Sequence, residues 1–137
     1  MVKYITGEDL AKIVKSDQVP HKDYLIVDVR DDDYVGGNIK GSHNLPSADF
    51  LRSVDELVRK TNDVPKVIFH CALSQARGPK AARIYEETRN MLQDQGKDIP
   101  HEVLILRGGF TEFQAQFRDD PKLVENWNAE VWTSEWS

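Results

Sequence analysis

The 137 residues carry 18 Lys and Arg against 23 Asp and Glu, a net charge of −5, with the basic residues scattered rather than clustered. That balance excludes general nucleic-acid binding, which needs a basic face. A hydrophobic content of 39% and no apolar run of membrane-spanning length describe one soluble domain with one core and no membrane partner. The amino-terminal stretch lacks a signal-peptide pattern.

Cys71 is the only cysteine. An internal disulfide is excluded, and a reducing compartment, cytoplasmic or nuclear, is expected. The four histidines are widely spaced, and only His70 has a cysteine neighbour. No metal site and no cofactor are therefore expected.

In chain order, Lys3-Tyr4-Ile5 suits a short opening strand, and Thr6 is the expected cap of a helix carrying Glu8 and Asp9 in its first turn. Leu10, Ile13 and Val14 form that helix's apolar stripe. The run Tyr24 to Arg30 has the continuous apolar character of a strand covered on both faces. Asp28 and Arg30 at its end are expected to be structural partners, since an unpaired charge there would be costly. Asp31-Asp32-Asp33 fits a solvated helix N-terminus. One of its carboxyls is alternatively a general acid, because loops after parallel strands gather at one sheet edge. Gly36 to Gly41 is turn chemistry. Ser47 is expected to cap a helix whose core stripe is Leu51, Val54, Leu57 and Val58.

The run Val67-Ile68-Phe69-His70 then delivers Cys71 onto a loop, followed by Arg77-Gly78-Pro79 and a helical pattern. In this strand–loop–helix the backbone N–H groups of the loop and the first helical turn converge, and such a nest binds anions. A helix N-terminus beside an arginine favours the thiolate, the nucleophilic form of cysteine. Arg77 offers a planar fork for two oxygens of an oxyanion. Cys71 is thus the predicted nucleophile, with Arg77 binding the anion. The N–H groups of Ala72, Leu73, Ser74, Gln75, Ala76 and Arg77 hold the remaining oxygens. The Ser74 hydroxyl is placed to bond the anion or the sulfur, and His70 to orient the loop or tune the thiolate from the opposite face without transferring a proton.

After the loop, Ala81, Ile84, Tyr85, Thr88 and Met91 or Leu92 mark the buried face of a helix that fades near Gln95 to Asp98. Val103 to Leu106 is a further buried strand, and Phe110, Phe113 and Phe117 are the core face of the helix after it. The end of the chain carries Trp127, Trp132 and Trp136, expected to pack on the domain, with an oligomer or partner contact as the alternative. Strands alternating with helices give an α/β class with a mostly parallel sheet.

His-Cys, five residues, Arg and Gly-Pro resembles the signature of cysteine-dependent phosphatases. Asp28-Val29-Arg30, Gly37-Asn38-Ile39-Lys40-Gly41-Ser42 with Asn44-Leu45-Pro46, and Leu106-Arg107-Gly108-Gly109-Phe110 resemble the landmarks of rhodanese-fold domains. They resemble especially the M-phase-inducer dual-specificity phosphatases and the yeast and plant arsenate reductases related to them. The resemblance runs from about Tyr4 to Phe117. It implies a rhodanese-like domain over residues 1–137, with 118–137 as a Trp-containing tail. It further implies a central five-stranded sheet with helices on both faces, and Cys71 at the bottom of a shallow cradle.

The resemblance also implies a tyrosine or dual-specificity phosphatase working through a cysteinyl-phosphate, with a phosphoprotein or small oxyanion as partner. The alternative is an arsenate reductase drawing on an external thiol such as glutathione, with glutaredoxin. A non-catalytic phospho-binding module is a third reading. Sulfur transfer is disfavoured, because the sulfurtransferase loop is typically one residue shorter. Two departures stand out: Ala72 and Ala76 replace glutamates that the M-phase-inducer phosphatases carry in the loop, and their second, protective cysteine is absent. The oligomeric state is open between monomer and weak dimer.

Overall fold

A computed structural model of the chain describes residues 2–92 and 101–132. The expected loop around Gln95 to Asp98 and the last tryptophan, Trp136, lie outside the described residues. The elements are β1 (Val2–Ile5), α1 (Gly7–Lys15), β2 (Tyr24–Asp28), β3 (Asn38–Ile39) and β4 (His43–Asn44). A 3-10 turn (Ser47–Asp49) leads into α2 (Phe50–Lys60), β5 (Lys66–His70), α3 (Arg77–Leu92), β6 (Glu102–Leu106) and α4 (Gly109–Phe117). The short β7 (Val124–Glu125) and α5 (Ala129–Trp132) complete the series.

Five strands form one sheet in the order β1-β6-β5-β2-β4, every pair parallel. The fold is α/β with helices on both faces, as the alternation of elements predicts. Because successive side chains of a strand point to opposite faces, β2 sends Leu25 and Val27 to one side and Ile26 to the other. The first side packs on Phe50, Val54, Leu57 and Val58 of α2 and on Ala81, Ala82 and Tyr85 of α3. The second packs on Leu10 and Ala11 of α1 and on Phe110 and Phe113 of α4. Leu123 and Val124 join this second core, and β7 pairs antiparallel with β3. This part of the tail is therefore built into the domain. Trp127 and Trp132 pack against the same core, and the Trp132 indole donates to the Gly36 carbonyl (2.9 Å).

The Thr6 hydroxyl accepts from the Asp9 N–H (3.1 Å), capping α1 as predicted. Three expectations are corrected. Ser47 does not cap α2: it opens the 3-10 turn, and its hydroxyl donates to Asp31 (2.5 Å). That turn sets the phase of α2, so Phe50 joins Val54, Leu57 and Val58 in the core while Leu51 is 73% exposed. On α3 the buried face runs Ala81, Ala82, Tyr85 and Arg89, and Met91 is 83% exposed. Arg89 replaces an apolar residue there because the Thr61 and Asn62 carbonyls accept from its guanidinium (3.3 and 3.1 Å).

At the end of β2, the Asp28 carboxylate accepts from Arg30 Nη2 (2.7 Å) and Nε (3.0 Å), with both side chains at most 1% exposed. Asp28→Ala would leave a buried, unpaired guanidinium, and a loss of about 3–5 kcal/mol of stability is expected in chemical denaturation.

A second polar chain lies under α3. Thr61 Oγ1 and the Tyr85 hydroxyl are 2.6 Å apart, Tyr85 meets His101 Nε2 (3.3 Å), and His101 Nδ1 donates to the Val64 carbonyl (2.7 Å). Burial, together with the nearby Arg89 charge, holds the His101 pKa down to about 4. The unfolded chain takes up this proton near pH 6.5 and the folded chain does not, so the unfolded state binds more protons between the two values. The contribution of His101 to stability is present above about pH 6.5 and lost as pH falls toward 4. Denaturation midpoints of His101→Gln are expected to fall less steeply across this window than those of the parent.

Candidate active site

The site sits at the carboxyl edge of the two central strands. β5 ends at His70, the chain turns through residues 71–76, and α3 starts at Arg77. β2, beside β5, ends at Asp28 and supplies residues 29–37 to the same edge. Ligand sites in parallel sheets form where such loops gather.

The loop is fastened from beneath. The Cys71 carbonyl accepts from the Phe110 N–H (3.0 Å) and the Ala72 carbonyl from the Thr111 N–H (2.9 Å), which ties the loop to the start of α4. Gly109 has φ +62°, and a side chain there would overlap the Ala72 carbonyl. Gly78 lets α3 press against the strand end, where a Cβ would sit 3.2 Å from the Cys71 nitrogen.

Cys71 is 3% exposed, and the Ser74 N–H donates to its sulfur (3.2 Å), a contact made possible by the left-handed backbone of Ser74 (φ 55°). The N–H groups of Ala72, Leu73, Gln75 and Ala76 donate to no protein acceptor among the described residues. The Ser74 hydroxyl is buried and likewise unpartnered. Donors left over in this way, at the positive end of a helix of 16 residues, are the arrangement that favours an anion. All the loop residues singled out from the sequence are brought together here.

His70 is fully buried on the other face of the sheet edge, its ring 6.3 Å from that of Phe110. The Cys71 carbonyl can only accept, so His70 Nδ1 carries the proton of the 3.0 Å bond between them. Burial, opposed by the nearby Asp28 charge, lowers its pKa and keeps the ring neutral. His70 fixes the carbonyl that anchors the loop, and its ring is remote from proton transfer.

What the sequence reasoning missed is the partner of Arg77. Its Nη1 donates to Asp31 Oδ2 (3.1 Å) and Asp33 Oδ1 (2.8 Å), and its Nη2 to Asp33 Oδ2 (2.6 Å). Asp31 to Asp33 do not begin a helix; the segment is a turn in which the Asp31 N–H bonds Asp33 Oδ1 (2.9 Å). Nor is Asp31 or Asp33 poised as a proton donor. The Arg77 hydrogen bond holds the Asp33 carboxyl below the usual range. For Asp31 burial pushes upward, but bonds from Ser47, the Ala48 N–H and Arg77 prevail and lower it. The Asp33 bond, outweighing burial, raises the Arg77 pKa beyond its already high value. The only signal that pointed here was topological: neighbouring parallel strands place these two loops side by side.

Beside Arg77 lies a cleft of about 150 Å³ lined by Ser47, Phe50, Leu51, Lys80, Ala81 and Ile84. Among the described residues there is no group of three or more His, Cys, Asp or Glu able to hold a metal ion.

The model of the rhodanese-like domain matches residues 6–116 of this chain. The chain belongs to the rhodanese-like family. Among its rhodanese-like relatives is the dual specificity phosphatase ibp1 of Schizosaccharomyces pombe, 38% identical over 73% of this chain and 81% of that protein. Rice arsenate reductase 2.1 is 30% identical over 82% of this chain and 68% of its own length. The solved structure of Ygr203w, a yeast protein tyrosine phosphatase of the rhodanese family, superposes with a TM-score of 0.76. It is 29% identical, with 96% of each chain covered.

Gly109→Ala is expected to cost more than about 1 kcal/mol, since it adds a side chain at positive φ against the loop. Thermal unfolding would show the loss, and phosphate-dependent stabilisation should shrink with it.

Proposed function

We propose that this rhodanese-like domain is a cysteine-dependent phosphatase of phosphomonoesters on proteins. The observation that carries the reading is the Cys71 sulfur set within a loop of unbonded N–H donors at the start of α3. A phosphoryl group seated on those donors presents phosphorus to Sγ. The thiolate attacks, an S–P bond forms, and the ester P–O bond breaks with the electron pair leaving on the alcohol oxygen. Water then attacks the cysteinyl-phosphate and restores the thiolate. Charge spread over the phosphoryl oxygens is stabilised by the loop N–H groups and by Arg77. The five residues between Cys71 and Arg77 give a loop wide enough for a tetrahedral oxyanion. Two similar proteins carry phosphatase names, which supports the same reading.

A second reading, arsenate reduction, is favoured by one specific feature. Ala72 and Ala76 leave the loop without a carboxyl, and Asp31 and Asp33 are driven toward the charged form, so neither of these two aspartates offers a proton to a departing alkoxide. Arsenate monoanion carries two protons of its own, so the oxygen it loses departs as water without a protein acid. The Cys71 thiolate would attack arsenic, an S–As bond forming as an As–O bond breaks and water leaves with those two protons. An external thiol would then attack the Cys71 sulfur, and the S–As electron pair would pass to arsenic, giving As(III) and a mixed disulfide. A second external thiol would free Cys71, because the chain has no other cysteine.

Hydrolysis of an aryl phosphate, whose leaving group needs little protonation, is the direct assay. Cys71→Ser is expected to lower it by at least about a thousandfold. Turnover surviving that substitution would refute the nucleophile. Arsenate reduction with glutathione and glutaredoxin, without phosphate release, would move the assignment to the second reading.

A further inference from the structure

The Arg77 guanidinium has five N–H groups, and three of them, including the whole end-on fork, are taken by Asp31 and Asp33. The two carboxylates are fixed independently of the arginine. Ser47 Oγ and the Ala48 N–H hold Asp31 (2.5 and 2.9 Å), and the Asp31 N–H holds Asp33. Behind them, Asn44 Nδ2 donates to the carbonyls of Asp28 and Arg30 (2.9 and 3.0 Å), which fixes the start of the turn. Two negative charges therefore face one positive charge on a rigid support. An arriving oxyanion finds the loop N–H groups open but the arginine's charge already matched.

We propose that Asp31 and Asp33 are a built-in competitor for Arg77, and that this clamp sets the oxyanion affinity of the Cys71 loop. The proposal rests on the reading of the loop as an oxyanion site and deepens it. Only the fraction of molecules with Arg77 released binds at full strength, so the apparent affinity is lowered by that fraction. The guanidinium and the Asp33 carboxylate are each about a third or more exposed, so water screens the pair and release is attainable. The design gives weak retention of the inorganic phosphate product, whose grip on the arginine is contested once the ester is gone.

The test is a double-mutant cycle on binding, with inorganic phosphate as the probe, read by calorimetry under reducing conditions. Asp33→Asn is expected to tighten phosphate binding roughly five- to tenfold, the gain from freeing a bidentate, partly exposed arginine. Arg77→Met should weaken binding, and adding Asp33→Asn to it should return little. Asp31→Asn, which loses one contact with Arg77 rather than two, should show a smaller gain and checks that the Asp33 result is not a folding artefact. In turnover of an aryl phosphate, Asp33→Asn should lower KM without raising kcat.

An equal gain in the Arg77→Met background would mean plain charge repulsion and overturn the clamp. Weaker binding by Asp33→Asn would mean that the carboxylates brace Arg77 in its working pose, and would also overturn it. Phosphate binding by neither parent nor variants would do the same. The two readings fail separately: the expected binding cycle without turnover keeps the clamp and sinks the phosphatase, whereas Cys71-dependent turnover with unchanged affinities does the reverse.

Discussion

The ion pair between Asp28 and Arg30 is the constraint from which the rest of the site hangs. Two charges at most 1% exposed are tolerable only when paired and hydrogen-bonded, and Asp28 and Arg30 supply this to one another. Arg30 also donates to the Gly37 carbonyl (2.8 Å), and its guanidinium lies over the rings of Phe110 (4.4 Å) and Tyr34 (4.9 Å). Gly37 pins the far end of the turn that begins at Asp31, so residues 31–37 close into a fixed arch. Phe110, beneath the same guanidinium, opens the helix whose N–H groups hold the Cys71 loop. One buried pair thus registers both halves of the site, the arch with its carboxylates and the loop with its sulfur.

How much of this was legible follows from how local each feature is. The Cys71 loop is contiguous in sequence, and its chemistry depends on a strand, a turn and a helix start in succession. Residue type and spacing were enough for it. The pairing of Asp28 with Arg30 was legible for the same reason, two residues apart at the end of a buried run. Phase within a helix was not. The stripe of α2 was expected to begin at Leu51, yet the 3-10 turn before it rotates Phe50 inward, and nothing in the 3.6-residue period fixes that starting angle. Arg89 was overlooked because a charged residue counts against burial until its carbonyl partners are known. The partnership of Arg77 with Asp31 and Asp33 joins segments more than forty residues apart, and three consecutive aspartates before a turn carry the local signature of a helix start.

The same partnership decides the acid–base character of the site. An acid for the leaving group must hold its proton near neutral pH, which calls for an apolar setting or a like-charged neighbour. Asp31 and Asp33 have the opposite surroundings, a guanidinium and hydrogen-bond donors, and both are driven toward the charged form. His70 is neutral but turned to the other side of the sheet edge. Ala72 and Ala76 contribute nothing that ionises. Asp31, Asp33, His70, Ala72 and Ala76 therefore offer no proton to an oxygen departing from the Cys71 loop. Rate in such a site follows how well the leaving group bears its own charge. Aryl esters meet that condition directly, and substrates protonated on their own phosphoryl or arsenate oxygens meet it by carrying the proton with them.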